Sequence, residues 1–588
     1  MRLSLVQFNP MVGDVRGNAE RLARWADDAA SRARDPGLTV FPELALVGYP
    51  PRDLLLQEGF LEAVRDEVAR LCTVLPQGEM VMVGAPWRPP VGAGGAPTDA
   101  WDPHAPVTNS ILCIRAGRVE ARYDKRLLPT YDVFDEDRYF VPGSRAVTVS
   151  VAGVAVGVSI CEDLWRGDDA RASARYRDEP DPVVELVRAG AQLIVNPSAS
   201  PFALGKGPRQ RDILKRHVRS HGVAVAAVNQ VGGNDDLIFD GHAAVYLPGP
   251  GPGAEPVLVA AGPGFQESIV HHDLGDGRGA PRPVADPLLD APPMSLLWRA
   301  LVLGVRDYCT KTGFKEAVLG LSGGIDSALV AAVAVAALGR DKVTGVLMPS
   351  RYSSAGSVTD ALALARNLGL RAVKVPIEPA HAVLETSLSA LFDQLGVRGP
   401  EGITEENIQS RLRGVILMAV SNKTGAILLT TGNKSELAVG YCTLYGDMNG
   451  GLAVLSDVTK VQVYELARWL NVNETACGFS AGLGPIPESS ISKPPSAELR
   501  PNQTDQDSLP PYEVLDEIVE RYVEGHQSAS RIARESGISP ETVRRVVRLI
   551  DVNEYKRKQT PVGLRVTDKS FGPGRRQPIA QGWRAEIS

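Results

Sequence analysis

The sequence predicts an α/β protein built as two successive α/β domains, and three observations predict it. Short apolar runs alternate with helix-length stretches along most of the 588 residues, the pattern of buried sheets flanked by helices. That length exceeds what one hydrophobic core holds, so at least two domains are expected. A stretch rich in Gly, Asp and Pro, residues 273–293, interrupts the alternation and reads as an interdomain linker. The expected organisation is a first domain over 1–272, the linker over 273–293, and a second domain over 294–588.

In the first domain the strand candidates are 3–8, 38–41, 80–83, 111–115, 154–160, 193–196 and 223–229. Helix candidates at 18–34 and 210–220 lie between some of them, and two Pro/Gly-rich stretches, 87–97 and 248–256, read as surface loops. In the second domain, apolar runs at 317–321, 342–348, 372–375 and 426–429 alternate with helical segments. These are βα repeats, expected to form a doubly wound parallel sheet whose ligand site lies at the carboxyl ends of the strands. Beyond about residue 510 the chain reads as helical, then as a Gly/Pro/basic tail. Residues 528–549 have the outline of a helix-turn-helix, a form that any α-rich subdomain also produces.

Composition excludes several function classes. Net charge is −6, so the chain lacks the electrostatic footprint of a nucleic-acid binder and no nucleic-acid partner is expected. Six cysteines spread over this length do not form a disulfide framework. The first residues, Met1-Arg2-Leu3-Ser4-Leu5-Val6-Gln7-Phe8, enter a strand pattern directly, with no secretory h-region and no apolar run of membrane-spanning length. A cytoplasmic protein with no membrane partner is expected.

Residues 320–327 read Gly-Leu-Ser-Gly-Gly-Ile-Asp-Ser between a strand-like run and a small-residue helix. A strand–Gly loop–helix junction turns unpaired backbone N–H groups and a positive dipole end toward an anion. No Gly-Lys-Ser/Thr follows, so it is not a Walker loop. The Ser-Gly-Gly-x-Asp-Ser form resembles the pyrophosphate loop of enzymes that adenylate a substrate at the expense of ATP.

In the first domain, Cys161 closes a strand in Val158-Ser159-Ile160-Cys161-Glu162-Asp163. A lone cysteine there is ordinarily a small buried apolar residue. Glu43, in Val40-Phe41-Pro42-Glu43-Leu44, and Lys125, in Tyr123-Asp124-Lys125-Arg126, occupy similar strand-end positions. Together the three segments resemble the Glu–Lys–Cys triad of the nitrilase superfamily of carbon–nitrogen hydrolases, over roughly 1–272. Gly48-Tyr49-Pro50-Pro51, Val133-Phe134-Asp135-Glu136 and Asn229-Gln230-Val231-Gly232-Gly233 strengthen the match. The resemblance implies an α-β-β-α sandwich, with Glu43 as general base, Lys125 beside the developing oxyanion and Cys161 as nucleophile. It also implies Tyr131, Ser200 and Lys206 as glutamine contacts, the Ser200 assignment depending on how residues 166–180 align. The chemistry needs these types. A free thiol near pKa 8.5 is only a few per cent thiolate at neutral pH and requires an activating neighbour.

Further runs follow the glycine loop: 405–413, Thr430-Thr431-Gly432-Asn433-Lys434-Ser435-Glu436, 440–447, Val458-Thr459-Lys460, 554–559 and 570–576. With the loop they resemble NAD synthetases of the adenine nucleotide α-hydrolase-like fold, and the whole chain resembles the glutamine-dependent members. That resemblance implies ATP contacts by Gly320, Leu321, Ser322, Gly323, Gly324, Ile325, Asp326, Ser327, Thr431 and Lys460. It implies deamido-NAD contacts by Asn407, Glu436 and Lys556, and Mg²⁺ held by Asp326 and Glu436. The implied reaction amidates deamido-NAD through an adenylate, with ATP as co-substrate and glutamine as nitrogen donor. A homo-oligomer, octameric by family analogy, with a dry ammonia path is expected. The alternatives are amidation of another adenylated carboxylate, a regulatory nucleotide binder, or an amidase with a structural second domain.

Overall fold

Alternation with period two decides the architecture of the first half. On the strand Arg2–Gln7, Leu3 and Leu5 enter one core, whereas Val6 and the following Phe8 enter another. On the strand Met80–Trp87, Met82 and Val83 divide in the same way. A sheet with two apolar faces must be covered on both.

The structure, a computed structural model, describes residues 1–31, 37–90, 100–168, 172–251, 253–275, 281–397, 402–482 and 484–583. The chain forms two compact units, Met1–Pro293 and Met294–Ser588. In the first, one six-stranded sheet runs in the order Ser268–Asp273, Arg2–Gln7, Gly37–Val40, Met80–Trp87, Thr108–Arg115, Arg118–Asp124. The other runs Val257–Ala261, Ala244–Leu247, Ala224–Asn229, Leu193–Ser198, Val154–Val158, Thr148–Val151. Leu5, Val40 and Met82 of the first sheet share a core with Val158, Val195 and Ala226 of the second. The helices Val15–Ser31 and Phe60–Val74 cover the outer face of the first sheet through Leu22, Ala26, Val64 and Leu71. Pro182–Arg188 and Lys206–His221 cover the second through Val183, Leu186, Leu214 and Val218. This is the α-β-β-α sandwich.

The helix expected at 18–34 begins three residues earlier, at Val15, because Asp14 caps it, its carboxylate accepting the Gly17 N–H at 3.0 Å. Residues 32–34 of that expectation lie outside the described residues, as do 91–97 and 252 of the two expected loops and 276–280 of the expected linker. The described part of 273–293 packs on the first unit. Arg211 Nε and Nη2 donate to the Asp286 carboxylate at 2.8 and 3.0 Å, both groups buried. Leu288 lies against Gly207, where a side chain would clash.

In the second unit six strands, all parallel, run in the order Arg371–Lys374, Val343–Leu347, Ala317–Gly320, Ile427–Thr430, Leu452–Ala453, Val562–Gly563. The chain starts at Ala317–Gly320, winds one way, then returns to wind the other. The topological switch therefore lies between Ala317–Gly320 and Ile427–Thr430. The helices Ala529–Ser536 and Pro540–Val552 turn at Gly537 (φ 74°). Their apolar stripe, Ile532, Val543, Val546 and Ile550, packs with Leu515 and Val519 in this unit's own helical core. Among the described residues no helix is long and apolar enough to cross a membrane.

Burial pushes Asp286 up, but the Arg211 bonds outweigh it and hold the carboxyl below its usual range. Such a group stabilises the fold above its unfolded value of about 3.9 and loses that contribution as pH falls through the folded value. Asp286→Asn is expected to destabilise the first unit by about 3–5 kcal/mol at pH 7. The difference from wild type, measured by urea unfolding, should shrink below about pH 4.

Candidate active sites

Cys161 follows the strand Val154–Val158 at a sharp turn into the short helix Glu162–Trp165, with φ 41° and ψ −102°. A non-glycine residue in this region is strained, and strain of this kind collects at functional sites. The turn is pinned from the neighbouring strand: Cys161 N–H donates to Pro197 O at 3.0 Å, and Asn196 Nδ2 reaches Cys161 O at 3.4 Å.

The other two triad residues lie together. Lys125 is fully buried, its Nζ donating to Glu43 Oε1 at 2.7 Å and to Glu136 Oε1 at 2.8 Å. Glu43 is also held by Asn109 Nδ2 at 2.7 Å and by the Ala199 N–H at 2.9 Å. Burial works against the Lys125 ammonium, yet Glu136 and Glu43 outweigh it and hold the group well above its ordinary value. Burial pushes the Cys161 thiol well up and Glu43 adds to that, while Lys125 pulls it down. Cys161 thus has a carboxylate and an ammonium in electrostatic reach.

Glu136 is the residue that sequence reasoning left without a role. Its Oε1 accepts from both Lys125 and the Tyr49 hydroxyl, the latter at 2.9 Å. Burial lifts its pKa to about 7, against the pull of Lys125. The run Val133-Phe134-Asp135-Glu136 was the available signal, and Tyr49 belongs to a second such run.

Of the expected glutamine contacts, Lys206 and Ser200 meet: Lys206 Nζ donates to Ser200 Oγ at 2.8 Å. Asn229 clamps the backbone of Ser200 on both sides, accepting its N–H at 2.8 Å and donating to its carbonyl at 2.9 Å. The Tyr131 hydroxyl donates to Glu162, the residue next to Cys161, at 2.8 Å.

In the second unit the glycine loop leaves the carboxyl end of Ala317–Gly320 and enters the helix Ile325–Leu338. Leu321 is tied to the adjacent strand through Val346 O at 2.9 Å. Ser322 Oγ accepts the Gly324 N–H at 3.1 Å and lies 3.1 Å from Ser327 Oγ. Gly323 has φ 78°, and a Cβ there would lie 2.2 Å from Ser357 O, so only glycine fits.

Across the switch point, Thr431 and Gly432 lead from the strand Ile427–Thr430 into the helix Lys434–Val439, which Asn433 and Glu436 start as a capping box. Asn433 Nδ2 donates to Asp326 Oδ1 at 2.9 Å. Lys460 Nζ bridges Asp326 Oδ2 at 2.5 Å and Glu436 Oε1 at 3.3 Å. Asp326, Glu436 and Lys460 are thereby brought together from three elements.

Asn407 and Lys556 meet a common segment instead. Asn407 Oδ1 accepts the Thr443 hydroxyl at 2.8 Å, and Lys556 Nζ donates to Gly440 O and Cys442 O at 2.7 and 2.8 Å. Both brace 440–443.

Burial lifts Glu436 to about 8 and Asp326 and Asp505 push in the same direction, while Lys460 opposes them. A surplus of carboxylate oxygens is a fit for a hard cation. Among the described residues no group of three His, Cys, Asp or Glu side chains has the geometry to hold a metal. Mg²⁺ suits this case, since it is commonly held by one or two carboxylates with substrate phosphates and water completing the octahedron.

The carbon-nitrogen hydrolase family model matches residues 2–249 and the NAD synthase model residues 297–560. A glutamine-dependent NAD(+) synthetase of Synechocystis sp. is 45% identical over 589 residues, covering 100% of both chains. The chain belongs to the glutamine-dependent NAD(+) synthetases. The Thermotoga maritima synthetase is 39% identical, again covering 100% of each chain. A solved glutamine-dependent NAD(+) synthetase from Acinetobacter baumannii, in complex with ADP, is similar at 34% identity and TM-score 0.73, covering 100% of this chain and 99% of that one. The fold also matches the Cytophaga hutchinsonii synthetase, with TM-score 0.78 at 20% identity.

Removing the Lys125 ammonium should raise the Cys161 thiol still further, because a nearby cation favours the thiolate. In Lys125→Met, the pH profile for capture of Cys161 by iodoacetamide is expected to move upward. Each unit of movement lowers the rate at fixed pH about tenfold. Peptide mass spectrometry over pH 6–10 would measure it.

Proposed function

We propose that this synthetase amidates deamido-NAD, using ATP as co-substrate and ammonia released from glutamine. The observation that carries the reading is the meeting of Asp326, Glu436 and Lys460 beside the glycine loop, on the same chain as the Glu43–Lys125–Cys161 site.

In the glutaminase half, Tyr131, Ser200 and Lys206 would hold glutamine with its amide carbon facing Cys161. Glu43 takes the thiol proton as Sγ attacks, and Lys125 holds the oxygen that becomes anionic. Collapse of the tetrahedral intermediate breaks the C–N bond, ammonia leaves with the returned proton, and a thioester remains. Water, deprotonated by Glu43, releases glutamate. Glu136 shares Lys125 with Glu43 and keeps the ammonium aimed.

In the synthetase half, the backbone of Gly320, Gly323, Gly324 and Ile325, with the hydroxyls of Ser322 and Ser327, cradles ATP phosphates, while Leu321, whose N–H donates to Val346 O, lines the loop, and Thr431 and Lys460 contact the nucleotide. Asn407, Glu436 and Lys556 hold deamido-NAD, Asn407 and Lys556 by bracing 440–443. Asp326 and Glu436 would hold Mg²⁺, which when bound neutralises triphosphate charge. The nicotinate carboxylate attacks the α-phosphorus and pyrophosphate leaves. Ammonia then attacks the acyl carbon, AMP departs, and the surplus proton goes to water.

Ammonium has no lone pair to attack with, so a path that keeps ammonia unprotonated between the sites fits this chemistry. We assign that path, with family analogy, to a homo-oligomer of eight chains.

The test mixes ATP, Mg²⁺, deamido-NAD and glutamine and follows AMP, glutamate and NAD together, which should appear in equal amounts. Cys161→Ala should abolish glutamine-driven synthesis and keep synthesis from added ammonia near the wild-type rate. Loss of both in a folded variant, or AMP release with another carboxylic acid but not with deamido-NAD, would overturn the assignment.

A further inference from the structure

Lys460 is held from a side that the recognised motifs do not mark. Its backbone N–H donates to Ser435 Oγ at 2.8 Å, and that hydroxyl donates in turn to Asp516 Oδ1. Asp516 Oδ2 accepts the next backbone N–H, that of Val461, at 2.9 Å. Asp516 lies on the helix Tyr512–Val519. One turn earlier on the same face, the Tyr512 ring centre lies 5.4 Å from Lys460 Nζ, at cation–π range.

The Tyr512 hydroxyl donates to Asp505 Oδ2 at 2.7 Å. Asp505 is 3% exposed and Tyr512 5%, and Tyr441 is a second hydrogen-bonding neighbour of the Asp505 carboxylate. That carboxylate acts electrostatically on both Lys460 and Glu436.

We propose that Tyr512 and Asp505 are positioning residues for Lys460, holding its ammonium on the ATP phosphates through a polarised ring face. The proposal rests on the functional reading above. A lysine side chain has four rotatable bonds and, facing Asp326 and Glu436 alone, its head would be free to follow either carboxylate. The ring face attracts the ammonium without neutralising it, which leaves the charge available to a polyphosphate. Asp505 accepts the tyrosine hydroxyl, fixes the ring and enriches its electron density, while adding negative potential from behind the ring rather than in direct contact. Asp516 meanwhile fixes the backbone from which Lys460 extends. One helix thus sets both ends of the side chain.

The test is a double-mutant cycle on ATP affinity in the full-length chain. Calorimetry measures it, or displacement of a fluorescent ATP analogue where binding is weak. Asp505→Asn is expected to weaken ATP binding about tenfold, and Lys460→Met to weaken it at least as much. The variant carrying both should lose clearly less than the two single losses combined, because part of the Asp505 effect passes through Lys460. Tyr512→Phe, which keeps the ring and removes the hydroxyl, gives a second cycle if Asp505→Asn does not fold. Wild-type affinity in Asp505→Asn and Tyr512→Phe would overturn the proposal, as would the same loss in both backgrounds, the signature of a merely structural role. Wild-type protein that fails to bind ATP, or makes no NAD from ammonia, would overturn the functional reading instead.

Discussion

A lysine ammonium buried between two carboxylates organises each of the two reactive centres, and it recurs a third time beneath one of them. Lys125 sits between Glu43 and Glu136, Lys460 between Asp326 and Glu436, and Lys434 between Asp457 and Glu524. An isolated buried charge is prohibitive, and a buried pair is tolerable only when its remaining hydrogen bonds are met. Each trio therefore dictates much of its surroundings. Glu43 requires Asn109 and the Ala199 backbone, Asp326 requires Asn433, and Asp457 requires the backbone N–H groups of Val566 and Thr567. Lys434 starts the helix that carries Glu436, so the third trio ties the segment 566–569 to the helix behind the ATP loop.

Each ammonium faces two carboxylates. Around Lys125, Glu43 and Glu136 both accept from the ammonium, and Glu136 also accepts the Tyr49 hydroxyl. Around Lys460, the ammonium lies 2.5 Å from Asp326 and 3.3 Å from Glu436. The fold places a different partner beside the motif in each unit: a thiol in the first, a glycine loop in the second.

What was legible in the sequence was whatever depends on local pattern. Alternation located the strands that end at Cys161 and Gly320, and the helix that begins at Ile325 followed from its run of small apolar residues. Glu43, Lys125 and Cys161 were recognisable because each closes a strand in a distinctive run. Glu136 was in view as part of such a run, but its work depends on Tyr49 and Lys125 arriving from elsewhere in the sandwich. Asp505 lies in a short turn with no pattern of its own, and its importance comes from Tyr512, Lys460 and Glu436 converging in space. Asp286 sits in a stretch whose Gly/Pro/Asp composition argued for an interdomain linker. Its bidentate partner Arg211, 75 residues away, makes it a buried anchor, which composition cannot encode.

The two reactive turns solve one geometric problem in opposite ways. Both follow the carboxyl end of a parallel strand, where the chain must reverse sharply, and both carry a positive φ. At Cys161 (φ 41°) the strain is borne by a residue with a Cβ, and hydrogen bonds with Asn196 and Pro197 on the neighbouring strand hold it in place. At Gly323 (φ 78°) glycine removes the strain, and a Cβ would collide with Ser357 O. One turn bears its strain on a residue with a side chain, and the other escapes it through glycine.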